Sequence, residues 1–276
     1  MPREAAPEED ELESLWRSYY GSIFNPARVN PRAMRSEMPV RYWQNLPEIQ
    51  LLPQLLTQAG GRVETMMKTQ TKDSAAPYVP KERSLPAIVQ SLPRCHGCDL
   101  YQHAIQAVPG AGGAHARLML VGEQPGNEED KEGLPFVGPA GRVLDQILDE
   151  LEIDRKQIYV TNAVKHFKFV QRGKLRLHQT PRLSEVTACR PWLVAEIETV
   201  RPRVVVALGA TAAKSLLGAK FALMKQRGTV VASPWAEQVV ATIQPSAVLR
   251  APDETMGEQL RGFLRHDLKL AYKLAA

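Results

Sequence analysis

The chain has 276 residues, 44% of them hydrophobic and 24% charged, with a net charge of +5. That balance fits a globular protein with a buried core and argues against disorder. The longest apolar run, VVVALGATAA at 204–213, is about half of the roughly 20 residues a spanning helix needs, and the start, MPREAAPEEDELES, has no apolar signal core, so a cytoplasmic protein without membrane contact is expected.

Residues 10–70 read as helical and rich in aromatics, broken by Pro26, Pro31, Pro39 and Pro47, with no strand signal. From Lys68 to Pro93 the composition turns polar and proline-punctuated, as interdomain connections do. The boundary is placed near residue 80, which gives a helical segment 1–80 and a larger domain 81–276. Cys95 and Cys98 follow as a C-x2-C pair, with Cys189 far downstream. An odd count of three in an apparently cytoplasmic chain argues against a disulfide framework. Two thiolates on a tight turn can hold one ion or one cluster edge, and His166, His96 and His103 are candidates for a fourth ligand. Spacing alone serves zinc and an iron-sulfur cluster equally, and leaves a buried set without metal as a third reading.

Four β-branched runs come next, RLMLVG (117–122), QIYVTN (157–162), RVVVAL (203–208) and QVVATI (238–243). Each is nearly continuously apolar, as strands covered on both faces are. Helical stretches separate them, from Gly141, from Arg182 and from Gly209. The alternation predicts an α/β fold, a parallel sheet with helices on both faces, and directs attention to the loops after Gly122, Asn162, Leu208 and Ile243 at the carboxyl ends of the strands.

The loop after the first strand, GEQPGNEEDKEGLPFVGPAG, places Glu123 at the strand tip and starts a helix near Gly138, whose free N–H groups could cradle an anion. It contains neither G-x-G-x-x-G nor a G-K-[ST] ending, so ATP and NAD are poorly supported. Phe136 reads either as a core residue or as a platform for a base. Asn162, at the second strand tip, offers both a donor and an acceptor, which suits a nucleobase edge as well as a turn. Next comes KHFKFVQRGKLRLHQTP, and residues 163–182 as a whole carry six Lys/Arg and no acid, against six acids and one Arg in the first 14 residues. Charge concentrated in this way is the electrostatic footprint of a polyanion partner. After the fourth strand, Gln244 could meet a base carbonyl and Ser246 a phosphate. Near the end, Arg261, Arg265, Lys269 and Lys273 recur every four residues and read as a solvated helical face.

The segments GEQPGNEED…LPFVGPAGRVLD, YVTNAVKHFKF, KLRLH, ACRPWL and LGATAAKSLLG, in that order, resemble the uracil-DNA glycosylase superfamily, its iron-sulfur family 4 type, and within that the UdgX group. The resemblance covers about residues 85–276. It implies a three-layer α/β/α sandwich with a four-stranded parallel sheet and a [4Fe-4S] cluster held by Cys95, Cys98, His166 and Cys189. It also implies uracil-containing DNA as partner, with single strands preferred, and a monomeric bacterial protein of base-excision repair. By analogy Asn162 reads uracil, Phe136 stacks on it, and the backbone of Gln124, Pro125 and Gly126 orients it. His178, at the end of RGKLRLH, matches the residue that captures C1′ of the sugar covalently, with Glu123 as its carboxylate partner, while Arg172, Lys174 and Arg176 anchor the loop on phosphates.

Two departures stand out. Gln244-Pro245-Ser246-Ala247 replaces the usual HPSS, which removes a charge from the leaving-base site and implies slower excision or an altered substrate. KLRLH replaces KRRIH. The leading segment resembles part of a helical domain of unknown function that bacteria fuse ahead of such proteins. Two alternatives to covalent capture are a conventional turnover glycosylase and a non-catalytic module that binds uracil-DNA.

Overall fold

The computed structural model describes residues 73–276. The expected helical segment therefore lies outside the described residues up to position 72. In chain order the elements are α1 (Leu85–Ser91), β1 (Ala111–Gly112), β2 (Leu118–Gly122), α2 (Asn127–Glu132), α3 (Pro139–Glu150), β3 (Tyr159–Asn162), β4 (Phe169–Arg172), β5 (Leu175–His178), α4 (Leu183–Val200), β6 (Val204–Leu208), α5 (Ala210–Leu217), α6 (Leu223–Gln226), β7 (Val230–Ser233), β8 (Ala236–Thr242), α7 (Pro245–Leu249) and α8 (Glu254–Ala275).

The four apolar runs form the parallel centre of one sheet, in the order β3-β2-β6-β8. Side chains alternate between its faces. Leu118, Leu120, Val204 and Val206 pack with residues of α3 and α8, such as Leu144, Ile147, Leu264 and Leu268. Met119, Val121, Val205 and Ala207 pack with α4 and α5 through Leu193, Ile197, Ala212 and Ala213. The α/β/α sandwich follows directly from strands that are apolar on both sides.

Four strands were not legible as such. Antiparallel β1 and β7 extend the sheet to six strands at its two edges. The basic stretch is an antiparallel hairpin rather than a loop, with β4 and β5 paired from Phe169↔His178 to Arg172↔Leu175 and Gly173 taking the left-handed turn position at φ 56°. Residues 73–80, read in the sequence as connection, already belong to the packed unit. Ala75 is buried and donates its N–H to the Ala188 carbonyl at 2.8 Å.

One ion pair lies within the core. Lys165 follows β3 and is 1% exposed, and its ammonium donates to Glu196 of α4 at 2.6 Å, to Thr161 Oγ1 at 2.6 Å and to the Asn162 carbonyl at 2.9 Å. All three of its donors are used. Glu196 also accepts from Gly110 N–H at 2.9 Å and Thr161 Oγ1 at 2.8 Å. A buried pair of this kind is held by mutual satisfaction, and removing one partner strands the other charge. Glu196→Ala is expected to cost about 3–5 kcal/mol in denaturant unfolding, and Lys165→Met combined with Glu196→Leu to recover most of that loss.

Candidate active site

The loop after β2, the carboxyl end of β3, the end of β5 and the segment after β8 surround a cleft of about 390 Å³, lined by Gln124, Gly126, Phe136, Asn162, His178, Gln244, Ser246 and Arg250 among others. Seven of the residues expected at the site thus share one cavity. Pro125 is buried and does not line it.

Phe136 owes its position to local strain. It is a non-glycine residue at φ 56°, a conformation that costs roughly 1–2 kcal/mol. Arg155 fixes it by donating to the carbonyls of Pro135 and Phe136 at 3.0 and 3.1 Å. Gly141 permits it, since a Cβ there would sit 1.9 Å from the Phe136 carbonyl oxygen. Gly122 is required for the same pocket, because a Cβ would meet Asn162 Oδ1 at 2.3 Å and the Phe136 ring at 2.7 Å. Asn162 is 3% exposed, held from behind through its carbonyl by Lys165.

The anion cradle expected near Gly138 is filled by the protein itself. Buried Glu129 accepts the Gly138 N–H at 2.7 Å and the Gly126 N–H at 3.0 Å, which joins two loops of the rim. At the third edge, Ser246 Oγ is buried without a hydrogen-bond partner among the described residues, and Gln244 stands at the N-cap of α7.

His178 reaches the cleft because the hairpin is fastened along its inner side. Gln124 donates its amide to the carbonyls of Lys168 (3.1 Å) and Gln179 (3.0 Å), and its oxygen accepts the Lys168 N–H at 3.1 Å, closing the hairpin base. Its side chain is thus a clamp. Arg176 pairs with fully buried Asp130 at 2.5 Å and donates to Asn127 Oδ1 at 2.8 Å, with its guanidinium over the rings of Phe169 and Phe167. Arg176, expected to anchor the loop on phosphates, is engaged within the protein, where its guanidinium holds the hairpin on α2. Arg172 and Lys174 remain exposed at the hairpin tip.

His178 Nε2 lies 3.3 Å from Glu123 Oε1, with the imidazole 38% exposed and the carboxylate largely covered. Thr211 Oγ1 donates to the other carboxylate oxygen at 2.5 Å. Burial opposes ionisation of Glu123, yet the hydrogen bonds from His178 and Thr211 outweigh it and hold the carboxyl below its ordinary range. Thr211 was missed from the sequence, although it lies in the first turn of α5, three residues past the tip of β6. Nothing in its residue type distinguished it.

Behind β3, Cys95, Cys98 and Cys189 share one buried cluster with Trp192. Trp192 Nε1–H donates to Cys95 Sγ at 3.1 Å and the Lys165 N–H to Cys189 Sγ at 3.2 Å. Amide and indole donors aimed at sulfur are what thiolates of an iron-sulfur cluster accept. Burial pushes the Cys98 thiol up to about 11 and the Cys189 thiol up to about 12, so metal loading releases protons. Burial pushes His166 down to about 4, which leaves its imidazole neutral at pH 7, the form a metal would require. Among the described residues no group of three or more His, Cys, Asp or Glu side chains is placed so as to hold a metal ion.

A model of the uracil DNA glycosylase superfamily matches residues 109–269, and one of a domain of unknown function, DUF4130, matches residues 3–48. The chain is 36% identical over 200 residues to a type-4 uracil-DNA glycosylase of Sulfurisphaera tokodaii, covering 70% of this chain and 85% of the relative. It is 34% identical over 192 residues to a type-4 uracil-DNA glycosylase of Thermotoga maritima, covering 69% and 94%. A type-5 uracil-DNA glycosylase of Pyrobaculum aerophilum is 33% identical over 176 residues, covering 56% and 74%.

If Gln124 and Arg176 clamp the hairpin, Gln124→Ala and Arg176→Ala should each accelerate amide hydrogen exchange across residues 169–178 by at least about tenfold, with exchange in β2 and β6 unchanged. Mass-spectrometric exchange checks this.

Proposed function

The chain belongs to the uracil DNA glycosylase superfamily, and on that premise we propose that it excises uracil from DNA and that His178 then bonds to the sugar carbon the base has left. The observation that carries the second part is the 3.3 Å contact between the His178 imidazole and a carboxylate kept ionised by its surroundings, at the wall of the cleft.

The target nucleotide must first leave its stack, at a cost of a few kcal/mol. Asn162 offers its amide to the pyrimidine edge and Phe136 its ring to the pyrimidine face. As the C1′–N1 bond breaks, its electron pair departs with uracil and the sugar becomes oxocarbenium-like. Donors facing the anion lower that barrier. Here these are the Gln244 amide and the unpartnered Ser246 hydroxyl, and neither supplies a full charge, so excision is slow. The imidazole stands ready at high effective concentration. Its Nε2 forms the new bond to C1′ while its proton passes to Glu123, and water is outcompeted by position rather than by intrinsic reactivity.

Cys95, Cys98, His166 and Cys189 would hold the [4Fe-4S] cluster. When bound it contributes a rigid cross-link between the turn after β3 and α4, and removal of a base transfers no electrons. Exposed Arg172 and Lys174 contact phosphates, which makes binding weaken as salt rises.

Incubation with a labelled uracil-containing oligonucleotide should give a protein–DNA band that survives denaturing electrophoresis. His178→Ser should abolish that band while retaining DNA binding. Release of free uracil over many turnovers without a band would support conventional hydrolysis, and binding without any uracil release would leave only a sensing module. Because Glu123 must be ionised to accept the proton, the rate of capture falls as pH drops through its pKa. That fall should lie below the ordinary carboxylate range, and Thr211→Val, which removes one of the hydrogen bonds holding the carboxylate, should move it to higher pH in a rate profile.

A further inference from the structure

The hairpin has two faces of opposite character. Strand alternation and register place Phe169, Gln171, Arg176 and His178 on the inner one, where Arg176 and His178 make their contacts with Asp130 and Glu123. The outer one presents Val170, Arg172, Leu175 and Leu177. Its three aliphatic side chains are 50%, 66% and 38% exposed, on two short strands where nothing in the fold requires them. A solvated hairpin edge would normally carry polar residues at those positions.

We propose that this outer face is a docking strip for an unpaired DNA strand, with Val170, Leu175 and Leu177 against base faces and Arg172 and Lys174 on the phosphates. Three observations favour that occupant. First, the strip lies on the ribbon that reaches the cleft: Leu177 directly precedes His178 on β5, with Leu177 facing outward and His178 facing the cleft. Second, charge is complementary: residues 163–182 contain no acid, and Arg172 and Lys174 are exposed beside the aliphatic patch. Third, the combination is selective. A duplex offers phosphates on its exterior and keeps its base faces stacked inside, whereas a single strand offers both at once, which is what an apolar strip with a basic tip requires. The proposal rests on the uracil-DNA reading of the cleft and assigns to named residues of the outer face the single-strand preference that the resemblance implies.

The test measures fluorescence-anisotropy affinity of the full chain for two oligonucleotides carrying 2′-fluoro-2′-deoxyuridine, which resists cleavage, one single-stranded and one annealed to its complement. Val170→Ser with Leu175→Ser alters only exposed side chains, so folding is preserved. The expected result is about tenfold weaker binding of the single strand, with less than about twofold change for the duplex. Arg172→Gln with Lys174→Gln should instead weaken both and flatten their salt dependence. Equal losses on both oligonucleotides, or none on either, would overturn the proposal. So would a wild-type dimer that becomes monomeric in the serine variant with single-strand affinity intact, since the strip would then be covered by a second copy of the chain. The failure of the functional reading is separable: it shows as no wild-type preference for the uracil strand over the same strand with thymine, whatever the ratio between single strand and duplex.

Discussion

Everything at the site depends on the ion pair between Arg176 and Asp130. Asp130 is fully buried and also accepts the backbone N–H groups of Ile105 and Gln106, so its charge is held by donors on two sides before the hairpin arrives. Arg176 completes that shell from β5, and the strand that carries it carries His178 two residues later on the same face. A buried carboxylate deprived of one of its charged donors would be costly, so the hairpin has one favoured position. That position brings an imidazole on an otherwise exposed ribbon against Glu123. The charge density of this stretch is partly an internal fastening: Lys165 meets Glu196, Lys168 meets Glu185 and Arg176 meets Asp130.

The rest of the cleft is fixed with the same economy of parts. Glu129 joins the loop after β2 to the start of α3, Arg155 grips the strained Phe136 turn, and Gly122 and Gly141 leave out the side chains that would fill the space. Lys165 links the strand tip that bears Asn162 to α4, and its backbone N–H reaches Cys189. The cleft face that bears Asn162 and the cysteine cluster behind it therefore share one residue. Groups held in this way do not reorganise when charge develops, which is the condition under which dipoles and acids act most strongly.

How much of this could be read from the chain follows from burial. The central strands are covered on both faces, so their apolar runs were continuous and legible, and the helices between them carried the alternation that fixes an α/β sandwich. The edge strands were not legible: β1 is two residues long, and β7 alternates between exposed and half-buried positions. The hairpin was hidden by its composition, since five basic residues between Lys165 and Arg176 drew attention to charge while Val170, Leu175 and Leu177 supplied the strand signal. Asn162 and the cysteines carried a signal in residue type and spacing, whereas His178 and Glu123 were named through the resemblance of the motifs in which they lie. Gln124, Thr211 and Arg176 act through geometry alone, and no pattern in the sequence distinguishes a clamp from a surface amide or a pocket hydroxyl from a helical one.

The most direct measurement is to digest the protein after exposure to uracil-DNA, trim the DNA with nuclease, and locate the modified residue by peptide mass spectrometry. The account predicts a deoxyribose remnant on the imidazole of His178 and on no other side chain. An adduct on a lysine, or unmodified His178 in protein that has released stoichiometric uracil, would contradict it.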